Sequence, residues 1–462
     1  MYGGLCFGID RIRSINMIKV ITYGTYDLLH YGHIRLLQRA KELGDYLIVG
    51  VTADSYDLTR GKINVQQSLI ERIEAVRATG FADEIIVEEY EGQKIDDIKR
   101  LDVDIFAIGS DWNGHFDYLN EYCKVVYLER TEGISSSGIR SEKRIIRLGL
   151  LGDSSILAKV ENESRFVNGI QISGICSKRI DKLPHSLAHL PCVTSDYQRL
   201  LEISDAIYII SHPSQHDKHI KMALECGRHV LCESPITIDA QQFMKLQQLA
   251  SEKHCVLMDA IKTAYSTAYN RLLVLVKSGV IGDVYSVDAT CTSLKDIPRN
   301  LDKLKTEWNS LCAWGPTAVL PIFQIFGTEY VSKQIQTKLV DENSVFDLFT
   351  KVSFVYPHAV ASMKVGQGVK SEGELIISGT RGYIYVPAPW WKTDYFEVRY
   401  ENPALNKRYF YQLDGEGIRY ELVSFVKSIE NLSNRSYIEE EVSKTISSLM
   451  DDFYKRNDVV LL

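Results

Sequence analysis

The feature that most constrains this chain is the stretch Gly-Thr-Tyr-Asp-Leu-Leu-His-Tyr-Gly-His at residues 24–33. An apolar run over residues 17–23 precedes it, and a helical pattern over residues 34–43 follows it. A buried strand that turns into a helix places His30 and His33 at the helix N-terminus, where unpaired N–H groups and the helix dipole favour a phosphate. The stretch therefore predicts a nucleotide-binding turn. The alternative is a glycine turn followed by two incidental histidines.

Length and composition are those of an ordinary globular protein. At 462 residues the chain exceeds what one core usually organises, so we expect two or three domains. No tract approaches the ~20 apolar residues of a membrane span, and charged residues interrupt the first sixteen, so we expect a cytoplasmic protein. Nine scattered cysteines predict reduced thiols. The net charge of −7 gives no reason to expect nucleic-acid binding. The expected partners are small molecules and further copies of this chain, in a homodimer or higher homo-oligomer.

Strands alternate with helices over residues 17–140. After the opening turn, the predicted strands span residues 46–52, 84–88, 105–109 and 125–128. This alternation indicates a parallel sheet wound with right-handed crossovers, whose ligands bind at the carboxyl ends of the strands. Gly24, Asp111 and Arg130 each follow a strand, so we expect them to converge near the two histidines.

Three motifs of this region resemble a known superfamily. The stretch at residues 24–33 is similar to the HxGH signature of nucleotidyltransferases. The sequence Arg-Thr-Glu-Gly-Ile-Ser-Ser-Ser at residues 130–137 resembles their second signature, RTxGIS followed by two small hydroxyl residues. Residues 104–117, Asp-Ile-Phe-Ala-Ile-Gly-Ser-Asp-Trp-Asn-Gly-His-Phe-Asp, are similar to the glycerol-3-phosphate cytidylyltransferase branch. The resemblance covers residues 17–140 and implies CTP as a substrate, with Mg²⁺ arriving on the triphosphate.

The residue types suit nucleotidyl transfer. An acceptor oxygen attacks the α-phosphorus of a nucleoside triphosphate and expels pyrophosphate, so the added negative charge needs donors. Imidazoles at a helix start can donate, and Arg60 or Lys62, in the loop after the second strand, can hold the β and γ phosphates. The predicted catalytic residues of this region are His30, His33, Lys62 and Arg130.

The resemblance also implies nucleotide contacts. It places Asp27 and Arg72 near the base and phosphates, and Asp111 and Trp112 near the ribose or acceptor. For Arg72 the alternative is a solvated helix charge. The predicted nucleotide-binding residues are Gly24, Thr25, Tyr26, Asp27, Arg60, Arg72, Asp111, Trp112, Thr131, Ile134, Ser135 and Ser136.

A second nucleotide-binding pattern begins after a polar linker. A strand over residues 145–152 ends in a turn typical of a Rossmann opening, in which Gly152 keeps the tight turn and Ser154 stands at the second glycine. Later strands at residues 170–177 and 206–211, with helical patterns between, strengthen this weak motif.

Two further stretches carry a second resemblance. They are Ser-His-Pro-Ser-Gln-His at residues 211–216 and Ala-Leu-Glu-Cys-Gly-Arg-His-Val-Leu-Cys-Glu-Ser-Pro at residues 223–235. Both resemble the glucose–fructose oxidoreductase and inositol dehydrogenase family (Gfo/Idh/MocA). The family implies a nicotinamide-dependent oxidoreductase with a Rossmann domain and an open antiparallel sheet domain. Residues 278–285 then open that sheet, and residues 419–456 supply two closing helices.

We therefore predict an α/β chain. A Rossmann-like HxGH nucleotidyltransferase domain is fused to a Rossmann NAD(P)-binding domain, which an α+β open antiparallel sheet domain follows. The predicted domains are a cytidylyltransferase at residues 17–140, an NAD(P)-binding domain at 145–265, and a substrate and oligomerisation sheet with closing helices at 266–456.

The second strand of this second half carries no acid at its end for a ribose hydroxyl. Ser177, Lys178 and Arg179 stand there and can hold a 2′-phosphate, so we expect NADPH rather than NADH. The alternative is a solvated basic turn. The predicted dinucleotide-binding residues are Gly152, Ser154, Ser177, Lys178, Arg179, His212, Pro213, His216, Glu233 and Pro235.

The chain departs from the second family at two catalytic positions. Ser234 stands where the family has the lysine of Glu-Lys-Pro, and Thr317 stands where it has a histidine. Either catalysis is lost, or another group supplies the proton that accompanies hydride transfer. Our candidate is Lys262, with Tyr265 one helical turn further on as donor or relay; the alternative is a surface lysine. Secondary candidates for substrate contact are His212, His216 and Thr317, and packing is expected of Trp390 and Trp391.

Two units with different cofactors need a shared metabolite. We hypothesise a bifunctional enzyme that reduces a ketose or aldose phosphate with NADPH and couples the alditol phosphate to CTP, giving a CDP-alditol and pyrophosphate for a capsule or teichoic-type polysaccharide. Glycerol, ribitol and hexitol phosphates all remain open, and we favour glucitol 6-phosphate made from fructose 6-phosphate. One alternative is a transferase with a non-catalytic binding or oligomerisation module. Another is oxidation, by the second half, of a sugar nucleotide made by the first.

Overall fold

The computed structural model of the chain describes residues 17–53, 65, 67, 69–90, 92–129, 145–167, 169–298, 300–342, 344–411, 413–431 and 436–462. The chain divides into two compact units, Met1–Glu142 and Lys143–Leu462. Among the described helices, none combines the length and apolarity needed to span a bilayer.

The first unit is a parallel sheet flanked by helices. Its elements are β1 (Lys19–Gly24), α1 (Tyr31–Lys41), β2 (Tyr46–Thr52), α2 (Leu69–Ala78), β3 (Glu84–Glu88), α3 (Gln93–Leu101), β4 (Ile105–Gly109) and β5 (Lys124–Leu128). The strand order is β3-β2-β1-β4-β5, and every neighbouring pair is parallel. Apolar side chains alternate to the two faces of β1, so Val20 and Ile21 enter separate cores on opposite sides of the sheet.

This strand order positions the first candidate site. Connections run one way from β1 through β2 to β3 and the other way from β4 to β5. The order therefore reverses between β1 and β4, and ligands of such sheets bind at the carboxyl ends of the strands on either side of that reversal. The histidine pair follows β1, and Asp111 follows β4.

The second unit opens with another parallel sheet. Its elements up to the ninth helix are β6 (Ile146–Gly152), α4 (Ile156–Ser164), β7 (Ile170–Cys176), α5 (His185–Ala188), β8 (Val193–Thr194), α6 (Tyr197–Ile203), β9 (Ala206–Ile210), α7 (His216–Glu225), β10 (His229–Glu233), α8 (Ala240–Glu252), β11 (Leu257–Ala260) and α9 (Thr267–Lys277). The strand order is β11-β10-β9-β6-β7-β8. The order reverses beside β6, and this places the turn after Gly152 at the ligand-binding edge of the sheet.

A large mixed sheet follows. Its elements are β12 (Val284–Thr292), α10 (Leu301–Leu304), α11 (Ser310–Phe326), β13 (Ser332–Leu339), β14 (Asp347–Val355), β15 (Val360–Gly366), β16 (Leu375–Gly379), β17 (Tyr383–Val386), β18 (Tyr395–Arg399), β19 (Lys407–Phe410), α12 (Ile418–Asn431), α13 (Glu440–Lys455) and β20 (Val459–Leu461). The strand order is β19-β18-β17-β16-β12-β15-β14-β13-β20. The almost wholly apolar α11 packs on one face, against β12, β14 and β15.

The predicted fold class is confirmed, with one refinement. The open sheet is antiparallel except where β12 pairs with β15 and β13 pairs with β20, which are parallel. The two closing helices return to the Rossmann sheet: α12 packs on α4, and α13 packs on α8 and α11. They therefore bring residues late in the chain to the edge where the dinucleotide turn lies.

Candidate functional site

His30 and His33 lie together at the start of α1. His30 precedes the helix in extended backbone, and its Nδ1 accepts a hydrogen bond from the Gly32 N–H at 3.1 Å. The two imidazole rings stack with centroids 3.9 Å apart and planes 19° apart. Because Nδ1 accepts, a neutral His30 carries its proton on Nε2 and can donate it to an anionic oxygen.

The loop before α1 is fixed in an unusual conformation. Tyr26 and Leu28 have φ angles of 53° and 48°, which non-glycine residues rarely adopt. Tyr26 is buried, and a Cβ at Gly24 would lie 3.0 Å from its ring, so glycine leaves room for the ring to fold back over the strand. The Tyr26 ring meets His33 edge-on at 5.6 Å between centroids. The pair of histidines thus rests against a packed loop.

Arg72 on α2 is fully buried and ties together the ends of β1 and β2. Its Nη1 donates to the carbonyl oxygens of Thr25 at 2.6 Å and Thr52 at 2.8 Å, and its Nε donates to that of Gln67 at 3.1 Å. The Gln67 N–H in turn donates to Asp27 Oδ1 at 3.0 Å. The alternative of a solvated helix charge for Arg72 is therefore wrong, and Thr25 and Asp27 belong to the same buried network.

Asp111 and Trp112 lie in a short 3-10 helix, Ser110–Trp112, directly after β4. Asp111 is exposed, whereas the half-buried Trp112 ring packs 5.7 Å from the Phe116 ring between centroids. Both residues are thus held at the end of the strand next to β1. The remaining predicted residues of this site lie outside the described residues: Arg60, Lys62, Arg130, Thr131, Ile134, Ser135 and Ser136.

Sequence reasoning missed a buried ion pair at the ends of β2 and β3. Glu88 and Lys94 contact each other, and both are almost completely buried. Glu88 Oε2 accepts a hydrogen bond from Thr52 Oγ1 at 2.9 Å, and the Lys94 ammonium lies 4.7 Å from the Tyr23 ring centroid. The helical pattern around Lys94 gave no sign of burial, because its partners come from neighbouring strands.

The turn after β6 requires a glycine at its first position. Gly152 has a φ of 139°, and a Cβ there would lie 2.6 Å from the Ile210 carbonyl oxygen, so only glycine fits. Ser154 Oγ accepts a hydrogen bond from the Ile156 N–H at 3.3 Å, at the start of α4. The tight turn of a Rossmann opening is therefore kept at Gly152, while Ser154 replaces the glycine that usually lets the backbone approach a pyrophosphate.

The loop after β7, which carries Ser177, Lys178 and Arg179, contacts the carboxylate of Asp153. This contact was not predicted from the sequence. Asp153 Oδ1 accepts hydrogen bonds from Ser177 Oγ at 2.6 Å, the Lys178 N–H at 3.0 Å and the Arg179 N–H at 3.3 Å. No acidic residue stands at the end of β7, but Asp153, in the turn after β6, supplies a carboxylate there. The donors of Lys178 and Arg179 to this carboxylate are backbone N–H groups and both side chains are exposed, so the alternative of a solvated basic turn stays open.

His212, Pro213 and His216 surround the end of β9. Pro213 begins a short 3-10 helix, and His212 Nε2 lies 3.2 Å from the Glu307 carbonyl oxygen. His216 is fully buried, with Nδ1 2.8 Å from the Pro235 carbonyl oxygen and Nε2 2.7 Å from that of Ser211. Burial lowers the pKa of His216 to about 4, so the neutral ring donates to one of the two carbonyls. His216 holds Pro235 against β9 and presents no exposed atom to a substrate.

Three carboxyl groups gather at the ends of β10 and β11. Glu233 is half-buried by surface area, but dense packing excludes water from its carboxyl and raises its pKa to about 7, while its Oε2 accepts a hydrogen bond from Tyr208 at 2.9 Å. Burial also raises the pKa of Asp259 to about 6 and that of Glu421 on α12. Within the described residues no group of His, Cys, Asp and Glu side chains is placed to hold a metal ion. Burial thus raises the pKa of all three carboxyls, and that of Glu233, at about 7, lies near neutral pH.

Lys262 takes part in a charge cluster. Its Nζ lies 2.6 Å from Glu416 Oε2, and Glu416 Oε1 lies 2.8 Å from Lys159 Nζ and 3.0 Å from Lys392 Nζ. Three ammonium groups lower the pKa of Glu416 to about 2. Lys262 is about one-quarter exposed, so the alternative of a free surface lysine is wrong. The ion pair fixes the position of the Lys262 ammonium beside the end of β11.

Tyr265 does not face Lys262. It is buried, its hydroxyl lies 2.8 Å from Ser436 Oγ, and burial raises its pKa well above the usual value. Thr317 is half-buried on α11. The packing expected of the tryptophans is confirmed: both are buried, and Trp390 Nε1 donates to the Thr290 carbonyl oxygen at 3.1 Å.

Comparison with known proteins decides the family of the first unit. Residues 21–142 match the cytidylyltransferase-like family model. Glycerol-3-phosphate cytidylyltransferase of Bacillus spizizenii is 50% identical over 126 residues, which is 27% of this chain and 97% of that protein. The Staphylococcus aureus protein of the same name is 48% identical over 130 residues, 27% of this chain and 95% of that protein. The chain belongs to the cytidylyltransferase-like family.

The cytidylyltransferase domain is joined to an oxidoreductase domain. Residues 145–260 match the GFO/IDH/MocA oxidoreductase family with its NAD-binding Rossmann fold. KijD10, a 3-ketoreductase from Actinomadura kijaniata in complex with NADP and TDP-benzene, matches with a TM-score of 0.61 and 17% identity over 69% of this chain and 100% of that chain. GnnA, a UDP-N-acetylglucosamine 3-dehydrogenase from Acidithiobacillus ferrooxidans, matches with a TM-score of 0.54 and 16% identity. The match covers 67% of this chain and 96% of that chain. At these identities the structures support the fold.

Proposed function

We propose that the first unit transfers a cytidylyl group from CTP to an alditol phosphate. The observation that carries this proposal is the 50% identity to a glycerol-3-phosphate cytidylyltransferase across nearly its whole length. The stacked His30 and His33 at the start of α1 support it, because a helix N-terminus that follows a strand of such a sheet favours a phosphate. Mg²⁺ would arrive on the triphosphate.

Cytidylyl transfer requires this unit to align the acceptor with CTP and to supply hydrogen-bond donors for the phosphate oxygens. An oxygen of the acceptor phosphate forms a bond to the α-phosphorus of CTP, the bond to the β-phosphate oxygen breaks, and pyrophosphate leaves. His30 and His33 stabilise the charge that develops on the α-phosphate oxygens. Arg60, Lys62 and Arg130 are the proposed cations for the rest of the triphosphate.

We propose that the second unit reduces the carbonyl of a ketose or aldose phosphate. The tight turn at Gly152, where a Cβ would collide with Ile210, supports a dinucleotide site at this edge, because Rossmann folds bind the dinucleotide beside such a turn. A nicotinamide bound at this edge supplies the hydride. The carbonyl oxygen then needs a proton, and the proposed donor is Lys262, which Glu416 positions through the contact at 2.6 Å.

The buried carboxyls give Lys262 a source of protons. Glu233 and Glu421 both lie close enough to Lys262 for its charge to lower their pKa values against the effect of burial. A carboxyl that remains protonated near neutral pH can return a proton to the lysine after each turnover. Tyr265 is not part of this relay, since its hydroxyl faces Ser436.

Together the two activities make a CDP-alditol and pyrophosphate from a sugar phosphate, CTP and a reduced nicotinamide dinucleotide. Such a product suits a capsule or teichoic-type polysaccharide. Glycerol, ribitol and hexitol phosphates are the candidate acceptors, and the favoured route leads from fructose 6-phosphate to glucitol 6-phosphate. The basic residues after β7 favour NADPH, and the carboxylate of Asp153 opposes it.

The test supplies the full chain with CTP, Mg²⁺, NADPH or NADH and a panel of ketose phosphates, and follows CDP-alditol by mass spectrometry and pyrophosphate by a coupled assay. We expect a CDP-alditol that needs both CTP and reduced dinucleotide. Lys262→Ala should abolish dinucleotide oxidation and leave CTP use with added alditol phosphate intact. Lys305→Ala, which removes a lysine 76% exposed, is the matched control. Absence of any CDP-alditol would overturn the proposal.

A second candidate function keeps the transferase and makes the second unit a non-catalytic module. Two observations favour it: the buried Ser234 stands at the family's lysine position, and Lys262 is engaged by a carboxylate that also binds two other lysines. The same assay separates the two. Transfer to added alditol phosphate, without dinucleotide oxidation on any carbonyl substrate, would establish this second function.

A further inference from the structure

Asp153 occupies an unexpected place in the dinucleotide turn. It directly follows Gly152 at the end of β6, and its Oδ1 gathers three donors from the loop after β7: Ser177 Oγ at 2.6 Å, the Lys178 N–H at 3.0 Å and the Arg179 N–H at 3.3 Å. The Arg179 N–H also lies 3.0 Å from Ser177 Oγ, which fixes the loop around the carboxylate. Oδ1 is thus saturated by the protein itself.

The second oxygen remains available. Asp153 is exposed, and within the described residues its Oδ2 has no hydrogen-bond partner. The donor Ser177 is buried, so the loop side of this contact is rigid, whereas the solvent side is open. A carboxylate with one oxygen fixed and one free is a ready acceptor for a ligand hydroxyl.

The position identifies which hydroxyl that would be. Strands β6 and β7 are neighbours in parallel register, with Leu151 opposite Cys176, so Asp153 and Ser177 emerge side by side at the carboxyl edge. In Rossmann sheets the ribose of the adenosine half lies over this pair of strand ends. An acid there accepts from the ribose 2′-hydroxyl of NAD, whereas an arginine there accommodates the 2′-phosphate of NADP. In this chain both kinds of residue are present.

The hydrogen bonds to Asp153 favour a ribose 2′-hydroxyl over a 2′-phosphate at this position. The backbone donors that a 2′-phosphate would use are already bound to Asp153, and the phosphate would bring a second anion against the carboxylate at short range. The side chains of Lys178 and Arg179 are exposed and attract either anion, but they cannot remove the fixed carboxylate between them and the ribose. A 2′-hydroxyl, in contrast, meets an acceptor and no repulsion.

We propose that Asp153 determines the dinucleotide preference of the second unit, and that it selects NADH over NADPH by accepting the ribose 2′-hydroxyl on Oδ2. The inference rests on the proposed reductase function of this unit. It assigns to the first turn the acid that Rossmann folds carry at the end of the second strand. It also reverses the preference expected from Ser177, Lys178 and Arg179 alone.

The test measures binding rather than turnover. The full chain is titrated with NADH and with NADPH, and the fluorescence of the reduced nicotinamide gives each Kd at fixed ionic strength. Asp153→Asn keeps an oxygen that can accept the three loop hydrogen bonds and removes only the charge. Asp181→Asn is the matched control, because Asp181 is exposed in the same loop region and is not among the contacts of the turn. Thermal melts check that both variants fold.

We expect the unaltered chain to bind NADH at least tenfold more tightly than NADPH. Asp153→Asn should shift the ratio of the two Kd values at least tenfold toward NADPH, and Asp181→Asn less than twofold. Tighter binding of NADPH by the unaltered chain, or a ratio that Asp153→Asn leaves unchanged, would overturn the inference while leaving the proposed reductase in place. If neither NADH nor NADPH binds, the proposed reductase is overturned and the inference with it.

Discussion

Lys262 Nζ and Glu416 Oε2 lie 2.6 Å apart, although 154 residues separate them in the sequence. The contact joins the turn after β11 to the segment that precedes α12. Glu416 also binds Lys159 on α4 and Lys392 near the large sheet, at 2.8 and 3.0 Å. One carboxylate therefore links three parts of the second unit and holds the proposed proton donor in place.

Glu416→Gln should destabilise the second unit at neutral pH. The three lysines lower the pKa of Glu416 to about 2, below its usual 4.5. A lowered carboxyl pKa contributes stability that is complete above about pH 4.5 and is lost as the pH falls toward 2. After a discount for partial exposure we expect a loss of about 2 kcal/mol at pH 7, measured as a lower Tm, that disappears near pH 2.

The matched control for this substitution is Glu441→Gln. Glu441 is 51% exposed and pairs at the surface with Lys444 at 3.0 Å, so its loss should change stability by no more than about 0.5 kcal/mol. Equal losses of Tm in the two variants would contradict the role assigned to the cluster.

The sequence predicts the sheets well because each strand carries its own pattern. The strands at residues 46–52, 84–88 and 105–109 end where the apolar runs end, and turn residues mark both limits. The same local patterns place Gly24 and Gly152 at strand ends. The two closing helices are expected from the resemblance to the second family, and the structure has them as α12 and α13.

The parts of the sites that the sequence missed all depend on distant partners. Asp153 receives donors from residues 177–179, and the buried Glu421 reaches the ends of β10 and β11 only because α12 folds back. Lys94 has an ordinary helical surface pattern, but it is buried against Glu88 of β3 and the ring of Tyr23 on β1. Such contacts follow from tertiary packing, which no local spacing of apolar and polar residues encodes.

Asp259→Asn should stabilise the chain above neutral pH. Burial raises the pKa of Asp259 to about 6, from a usual 3.8, against the opposing hydroxyls of Ser443 and Ser234. Between these values the folded chain holds a proton that the unfolded chain has lost, so this group makes stability fall as the pH rises from about 4 to 6. Asparagine removes the cost of burying the charged carboxylate. We therefore expect the free energy of unfolding to rise by up to about 3 kcal/mol at pH 8 and not to change near pH 3.5. The measurement is Tm against pH.

The control is Asp302→Asn, since the Asp302 side chain is 84% exposed and pairs with Lys305 only at the surface. Its Tm should follow that of the unaltered chain at every pH. A stabilisation by Asp259→Asn that is the same at pH 3.5 and pH 8 would show that burial of the charge is not its cause.

Arg72→Met should unfold or severely weaken the first unit. The substitution keeps most of the side-chain volume but leaves the carbonyl oxygens of Thr25, Thr52 and Gln67 without the buried donor they now share. An unsatisfied buried acceptor costs about 1–3 kcal/mol, so we expect a loss of 3 kcal/mol or more in thermal unfolding. Arg77→Met on the same helix removes an arginine that is 61% exposed and should cost less than about 0.5 kcal/mol. Similar losses of stability in the two variants would contradict the role assigned to Arg72 in holding the ends of β1 and β2 together.

His30→Asn separates the two tasks of His30. Asparagine is a favoured helix cap and can accept the hydrogen bond that Gly32 now donates to Nδ1 at 3.1 Å, so Tm should change by a few degrees at most. It lacks the ring that stacks 3.9 Å from His33 and donates from Nε2, and removal of one such donor costs about 10²–10³ in rate. We therefore expect pyrophosphate release from CTP and glycerol 3-phosphate or another accepted alditol phosphate to fall at least 100-fold. His185→Ala, which removes an exposed histidine of the second unit, should leave the rate unchanged. A folded His30→Asn variant with the full rate would limit His30 to capping α1.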